Sequence, residues 1–150
     1  TAAESWAWHR ARLVVQEAEY DPRVAQRIRR GEAISAADYI DLLQARSAWI
    51  ARVQDELQGF DAVLSPTVPM VAPAVAPLLG SDSRFFAING LLLRNPAVVN
   101  MLDGCALSLP CHQAGQMPVG LMVWAPAMQD DTVLGVGLAI EAALAAANDR

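Results

Sequence analysis

The stretch LLLRNPAVVNMLDGCALSLPCHQAGQMPVGLMV, residues 91–123, decides the fold because it places two short apolar runs on either side of a polar loop that contains glycine. An apolar run of four to eight residues bounded by Gly and Pro is typical of a strand buried on both faces. We therefore predict strands over residues 106–109 and 119–124, joined by a hairpin-like turn at 113–116. Two such strands indicate a sheet that is covered on both sides.

A charged and polar cluster, Arg94-Asn95-Pro96, precedes these strands in an otherwise apolar segment. Binding sites combine an apolar lining with a few convergent polar groups, and they concentrate where loops meet regular structure. The cluster is therefore the place where we expect a binding site.

Composition limits the classes of function. A chain of 150 residues with 54% hydrophobic residues is enough for one domain with its own core. The net charge of -5 and the pI near 4.8 argue against a nucleic-acid partner, because phosphate binding needs a clustered basic patch. The one dense basic group, Arg27, Arg29 and Arg30, is interpreted as a solvated helix end.

Cysteine usage and the lack of a long uninterrupted apolar stretch predict a cytoplasmic protein. Cys105 and Cys111 lie around one apolar strand and are interpreted as small core residues, which indicates a reducing compartment. No leader with a cleavage site is recognisable, and Asp103, Pro110 and Glu141 interrupt the longest apolar stretches. We therefore predict no membrane partner.

The first 59 residues predict a mainly helical region. Asp21 followed by Pro22 is a strong helix start, and Gly31 after two arginines predicts the end of that helix. Ser35, with Asp38 three residues on, resembles a capping box that opens the longest helix. The first and the longest predicted helices cover residues 2–19 and 36–58.

Residues 60–150 predict strands, loops and a final helix. A short strand at 62–65 precedes a proline-rich extended loop at 66–77, and residues 83–93 are ambiguous but allow a short helix. The last helix, 132–147, is capped by Asp130 or Asp131 and carries a single charge. A helix that is apolar on all sides is expected to be buried on all sides. Burying it completely needs more protein surface than this chain readily provides.

The residues present predict neither catalysis nor a metal or cofactor site in this chain. All eleven cationic side chains are Arg, so no lysine can act as a base, and the serines are isolated from one another. Cys111 and His112 are adjacent, which in a strand would point them to opposite faces and prevent a nucleophilic dyad. The Cys and His residues also lack zinc-ligand spacing.

Several motifs resemble, in order, the C-terminal part of the amidase signature family. They are WHR at 8–10, YDPRV at 20–24, ISAADY at 34–39, FDAVLSPTVP at 60–69, NP at 95–96, GCALSLP at 104–110 and MPVGLM at 117–122. The resemblance implies an α/β fold with a mixed sheet between helical layers. Residues 1–150 would then be a single partial domain, with a helical first half, short strands and a buried C-terminal helix.

The resemblance also implies the chemistry. In the family, a Ser activated by a second Ser on a cis peptide and by a Lys hydrolyses or transfers amides, and all three residues lie in the N-terminal part. None is matched here, so we expect an inert chain whose partner is that missing part of the same enzyme, with a small amide as substrate. The parent would be an amidase or the amidase subunit of a tRNA-dependent amidotransferase.

In similar enzymes, the stretch before the proline-ended strand borders the substrate pocket, which maps here to Arg94, Asn95 and Asn100. A guanidinium fork suits a substrate carboxylate. The alternative is that Arg94 is a surface ion-pair partner and that the Asn residues satisfy loop backbone. Pro96 replaces a Thr that is frequent in similar sequences, which removes a hydroxyl.

A second hypothesis makes the chain an autonomous binding or oligomerising module without catalytic activity. In this hypothesis the chain forms a homodimer through the surface that would otherwise meet the missing part of the enzyme. The mass in solution separates a dimer from a monomer with no exposed apolar patch.

Overall fold

The computed structural model describes residues 1–148 and divides into two compact units, Thr1–Trp49 and Ile50–Arg150. The helices among the described residues are α1 Ala2–Gln16, α2 Pro22–Arg29, α3 Ala36–Glu56, α4 Ala76–Leu79, α5 Asp82–Leu102 and α6 Asp130–Asn148. The strands are β1 Val63–Pro66, β2 Cys105–Pro110 and β3 Gly120–Ala125. Helices combined with a small sheet confirm the predicted α/β class, although α4 and α5 lie between β1 and β2.

The first unit is built from α1, α2 and the start of α3, with short 3-10 turns at Glu17–Glu19 and Arg30–Ala33. The Asp21 carboxylate caps α2 by accepting hydrogen bonds from the backbone N–H groups of Arg23 and Val24, as predicted. The buried side chains of this unit are Leu13, Ala25 and Ile28, with Trp6 and Tyr20 packed against them.

Helix α2 ends at Arg29 with Arg30 as its C-cap, so the predicted end at Gly31 is confirmed, and the glycine has a second role. The chain continues past it as a 3-10 turn, and a Cβ at this position would overlap the carbonyl oxygen of Ala2. The glycine therefore permits the close approach of α1, which a spacing rule for helix ends does not anticipate.

The capping box at the start of α3 is confirmed. The Asp38 N–H donates to the Ser35 hydroxyl oxygen at 3.1 Å, and the Ser35 N–H donates to the Asp38 carboxylate at 3.0 Å. The hydrogen bond from the Ser35 hydroxyl, followed by that from its N–H, holds the pKa of Asp38 below its ordinary value.

The second unit contains an antiparallel sheet in the order β1-β3-β2. All three predicted strands are confirmed with ends displaced by one residue, and β2 and β3 pair across the predicted turn. In register, Met122 pairs with Ser65 on one side and Ser108 on the other. Residues that are direct partners on neighbouring strands point to the same face of the sheet. The face of each β3 residue therefore gives the face of its partners in β1 and β2.

Helix α6 covers one face of the sheet. Leu109, Val123 and Ala125 are buried there against Val133 of α6, whereas Ala106 and Ser108 point to the other face and are exposed. The prediction that both faces of each strand are buried is therefore wrong for β2 within the described residues. The prediction assumed that an apolar run indicates a strand buried on both faces. Ala and Ser side chains, however, are compatible with buried and with exposed positions.

The predicted burial of the last helix holds for one side of α6. Val133 is 2% exposed, whereas Leu134 is 53% and Leu138 67% exposed. The helix also begins earlier than predicted, so that Asp130 and Asp131 lie in its first turn, where carboxylates are stabilised by the helix dipole. The outer side of α6 matches the expectation that this helix needs more cover.

Helix α5 is the largest departure from the sequence prediction. One helix of 21 residues replaces the predicted short helix, includes the Arg94-Asn95-Pro96 cluster and passes through Pro96 without ending. Proline removes one backbone hydrogen bond but leaves the flanking turns intact. Ser81 caps the start by accepting from the Arg84 N–H, and Asp103, at φ 55, ends the helix in the left-handed region.

Helix α5 is also long and apolar enough to cross a membrane by length and mean hydropathy alone, which the apolar-stretch analysis did not identify. Core helices of other proteins meet the same criteria. Arg94 and Asn95 lie near its middle, and Asn95 is hydrogen-bonded to the end of β1. The absence of a membrane partner stays a prediction.

Candidate functional site

A cavity of about 330 Å³ lies on the face of the sheet opposite α6. Ser65, Met122 and Trp124 form its floor, since alternate residues of a strand and their direct cross-strand partners share one face. Arg94 and Asn95 of α5 form a wall. Pro66, Pro69 and Val98 complete the lining. The volume suits a small molecule, and the lining is apolar apart from three polar side chains.

Asn95 connects the helix to the sheet. Its side-chain N–H group donates to the backbone carbonyl oxygen of Pro66 at 2.8 Å, and its carbonyl oxygen accepts from Nε of Arg94 at 3.3 Å. Both ends of the amide are therefore occupied. Asn95 lines the cavity, and its bond to the Pro66 carbonyl is a backbone contact of the kind that the alternative predicted. A substrate-binding role for Asn95 stays a prediction.

Arg94 is an exposed side chain whose Nε donates to the Asn95 carbonyl oxygen, and no hydrogen bond of its terminal amino groups is found among the described residues. Among the described residues, no carboxylate lies within ion-pair distance of its guanidinium. The predicted alternative of a surface ion pair is thus not present in this part of the chain. A guanidinium whose terminal N–H groups have no partner among the described residues can bind an anionic group through two hydrogen bonds.

Ser65 is a site residue that the sequence analysis did not identify. Its hydroxyl oxygen is buried and has no hydrogen-bond partner within residues 1–148. A buried hydroxyl without a partner costs about 1–3 kcal/mol. The predicted strand included Ser65, but the face on which its side chain lies follows from pairing with β3, which no local pattern specifies.

Asn100 lies on α5 but outside the cavity lining, and it is exposed. It follows Asn95 by five residues, which places it on a different side of the helix. The structure therefore brings Arg94 and Asn95 to one site and leaves Asn100 apart from them. A substrate role for Asn100 stays a prediction that rests on the resemblance alone.

The cysteine and histidine side chains do not form a reactive group in the described structure. Cys105 and Cys111 are free thiols, and His112 accepts a hydrogen bond from the Val119 N–H through Nδ1 at 3.4 Å. His9 contacts the Tyr20 hydroxyl at 2.9 Å. No group of three or more potential metal ligands is found among the residues that the structure describes.

Comparisons with known proteins agree on one family. The family described as Amidase matches residues 7–134. A 2-amino-5-chloromuconic acid deaminase from Comamonas testosteroni is 35% identical over 81% of this chain and 26% of its own length. A glutamyl-tRNA(Gln) amidotransferase subunit from Salinispora arenicola is 32% identical over 86% of this chain and 26% of its own length.

A crystal structure of an amidase has a similar fold. It aligns with 94% of this chain at a TM-score of 0.74 and 27% identity, and the alignment covers 33% of the solved chain. The chain thus spans about a quarter of the curated relatives and a third of the solved structure. The family match, the relatives and the fold all lead to the same result: this chain belongs to the amidase family.

Proposed function

We propose that the chain supplies the C-terminal part of an enzyme that hydrolyses a small carboxylic acid amide to the acid and ammonia. The observation that carries this proposal is the cavity in which Arg94 is the one charged side chain of a mainly apolar lining. A lining of this kind orients a substrate through a few polar contacts.

The nucleophile and its activating groups come from another part of the same protein in this proposal. The chain has no lysine and no adjacent serines, and it spans 26% of the first relatives' length. The role of the chain is to complete the sheet and one side of the substrate pocket. The isolated chain is then catalytically inert.

The exposed apolar side of α6 supports the same proposal. Leu134 and Leu138 are exposed although they lie on a helix whose opposite side is buried. Large apolar side chains grouped on one helix side indicate a contact with more protein. In the proposed enzyme, the remainder of the domain makes this contact. A second copy of the chain is the occupant under the alternative of an autonomous oligomerising module.

Two activities remain as proposals for the whole protein. One relative is named as a deaminase of 2-amino-5-chloromuconic acid, and others are named as amidotransferase subunits. We propose a free-standing hydrolase, because the unpaired Arg94 in the cavity suits a small acidic substrate as in the first name. The free thiols agree with the proposed cytoplasmic location.

The test is an ammonia-release assay on the protein extended by the residues that its relatives have beyond this chain. Succinamate and butanamide serve as substrates, and the isolated chain is the matched control. We expect release by the extended protein and none by the isolated chain. A soluble, folded extended protein that releases no ammonia from any small amide contradicts the proposal. Turnover by the isolated chain contradicts its inertness, and a stable dimer of the isolated chain favours the alternative.

A further inference from the structure

Residues 67–75 connect the end of β1 to α4 without regular structure, and Pro69 of this segment lines the cavity. Within the described chain, residues 68–74 make no hydrogen bond. The hydrogen bonds of the segment lie at its two ends. The carbonyl oxygen of Val75 accepts from backbone N–H groups of α4, and Thr67 is bound to the sheet.

Three hydrogen bonds hold the start of this segment to three different elements. The Asn95 side chain of α5 donates to the carbonyl oxygen of Pro66 at 2.8 Å. The Thr67 N–H donates to the carbonyl oxygen of Gly120 on β3, also at 2.8 Å. The Thr67 hydroxyl oxygen lies 2.5 Å from that of Ser108 on β2. The first two bonds use the backbone of the segment, whereas the third depends on two side chains.

The pairing of the two hydroxyls depends on the missing side chain of Gly120. A Cβ at this glycine would be 2.6 Å from both hydroxyl oxygens. Glycine within a strand often marks a close approach of other groups to the backbone. Gly120 therefore lets Thr67 reach across the middle strand to Ser108.

We propose that residues 67–75 form a lid over the cavity and that the pair of Thr67 and Ser108 hydroxyls holds the lid closed. Pro69 and Pro73 restrict the backbone of the lid, so it moves as a stiff segment. Pro69 is two residues from Thr67, so release of the Thr67 side chain moves part of the cavity lining. Lid hinges are commonly residues at the end of an element, as Pro66 is at the end of β1.

The strength of the hydroxyl pair suits a lid. One hydrogen bond between neutral groups changes an equilibrium by about twofold to tenfold. Local opening of this size occurs without unfolding of the remaining structure. The lid would control access for any ligand of the cavity, so the inference does not depend on the proposed function.

The first test is thermolysin cleavage of the folded extended protein, with the cut sites located by mass spectrometry. Ser108→Ala removes one hydroxyl of the pair, and we expect cleavage within residues 67–75 to become about fivefold faster. Thr67→Val should have a similar effect, and the double variant should exceed neither single variant by more than about twofold. Thr67→Ser keeps the hydroxyl and should restore most of the resistance.

The matched control is Ser83→Ala. The Ser83 hydroxyl also pairs with a second hydroxyl, that of Ser81 at 3.1 Å, but this pair lies at the start of α5 and does not contact the sheet. Cleavage within residues 67–75 should stay within about twofold of the unaltered protein.

The second test measures access to the cavity through Trp124, which lines it. The emission of Trp124 is obtained as the difference between each protein and its Trp124→Phe version. We expect acrylamide to quench this emission about twofold more strongly in Ser108→Ala than in the unaltered protein.

Each outcome decides the inference. Equal cleavage of Ser108→Ala and the unaltered protein overturns it, as do additive effects of the two substitutions in the double variant. Faster cleavage throughout the protein, rather than within residues 67–75, indicates a loss of global stability and also overturns it. Faster cleavage of the segment with unchanged quenching of Trp124 contradicts the role of the segment as a lid.

Discussion

The two faces of the sheet in the second unit differ in packing and chemistry. On the α6 face, apolar side chains are buried and close the interface, with Val123 at 0% exposure. On the α5 face, Ser65, Met122 and Trp124 of the same strands line a cavity. Close-packed surfaces stabilise a fold, whereas a surface that leaves space and a few polar groups can bind a ligand.

The difference follows from how the two helices meet the sheet. Helix α6 packs along β2 and β3 through Val133, Val136 and Ile140. Helix α5 has buried side chains only at its end, Val99 and Leu102, and is held farther up by the hydrogen bond between Asn95 and Pro66. The space between these two attachments is the cavity. Stability and binding are therefore assigned to opposite faces, which mutations can test separately.

The largest expected effect is on the α6 face. Leu109→Ala removes a buried side chain, and we expect the free energy of unfolding to fall by about 3 kcal/mol. Urea denaturation of the isolated chain measures it. Leu64→Ala is the control, because Leu64 lies on the same face but is 53% exposed, and a loss below about 1 kcal/mol is expected. Equal losses would contradict the assignment of the core to this face.

The second effect tests the close contact at the end of α5. A Cβ at Gly104 would lie 2.5 Å from the carbonyl oxygen of Ala125. Backbone atoms cannot move aside as easily as the end of a flexible side chain. We expect Gly104→Ala to cost about 2 kcal/mol in urea denaturation. Gly90→Ala is the control, since open space surrounds Gly90 and Ala is the better helix former. Its expected change has the opposite sign, up to about 1 kcal/mol of stabilisation.

The third effect separates positioning from stability on the α5 face. Asn95→Asp removes the donor to Pro66 and places a carboxylate beside Arg94, so we expect a loss of about 1 kcal/mol in stability. Succinate affinity should fall by more than tenfold, because the new carboxylate competes for the guanidinium. Asn100→Asp makes the same change on the same helix outside the cavity. Comparable loss of affinity in both variants would restore Asn100 as a site residue.

The smallest effect in the isolated chain concerns the outer side of α6. Leu138 is 67% exposed, so Leu138→Ala should change the stability of this chain by less than about 0.5 kcal/mol. In the extended protein the same substitution should cost about 2 kcal/mol or more, because the proposed remainder of the domain buries the side chain. Thermal and urea unfolding of both forms measure the difference. A small effect in both forms would show that nothing covers this side.

The sequence predicted those elements whose signals are local. Asp21-Pro22 and the Ser35 and Asp38 pair identified two helix starts because a cap is a contact between residues two or three apart. The strands were found from short apolar runs bounded by turn residues. The continuation of α5 through Pro96 was not predicted, since proline is a local signal for a break and the packing of Val99 and Leu102 outweighs it.

Part of the candidate site was also predicted. Arg94 and Asn95 were identified as polar residues in an apolar segment, and both line the cavity. Ser65 was not identified, because its importance depends on strand pairing with Met122 over more than fifty positions. Its unpaired state further depends on the pairing of Thr67 with Ser108, which the absence of a side chain at Gly120 permits.

The sequence by itself determined which elements form and which family the motifs resemble, since caps, turn residues and apolar runs act over a few residues. Only the tertiary structure decided which face of the sheet is packed and which holds the cavity. A side chain in a strand can lie on either face, and the order β1-β3-β2 with its register makes that choice. That Arg94 and Ser65 line one cavity follows from the same pairing and from the attachment of α5 through Asn95.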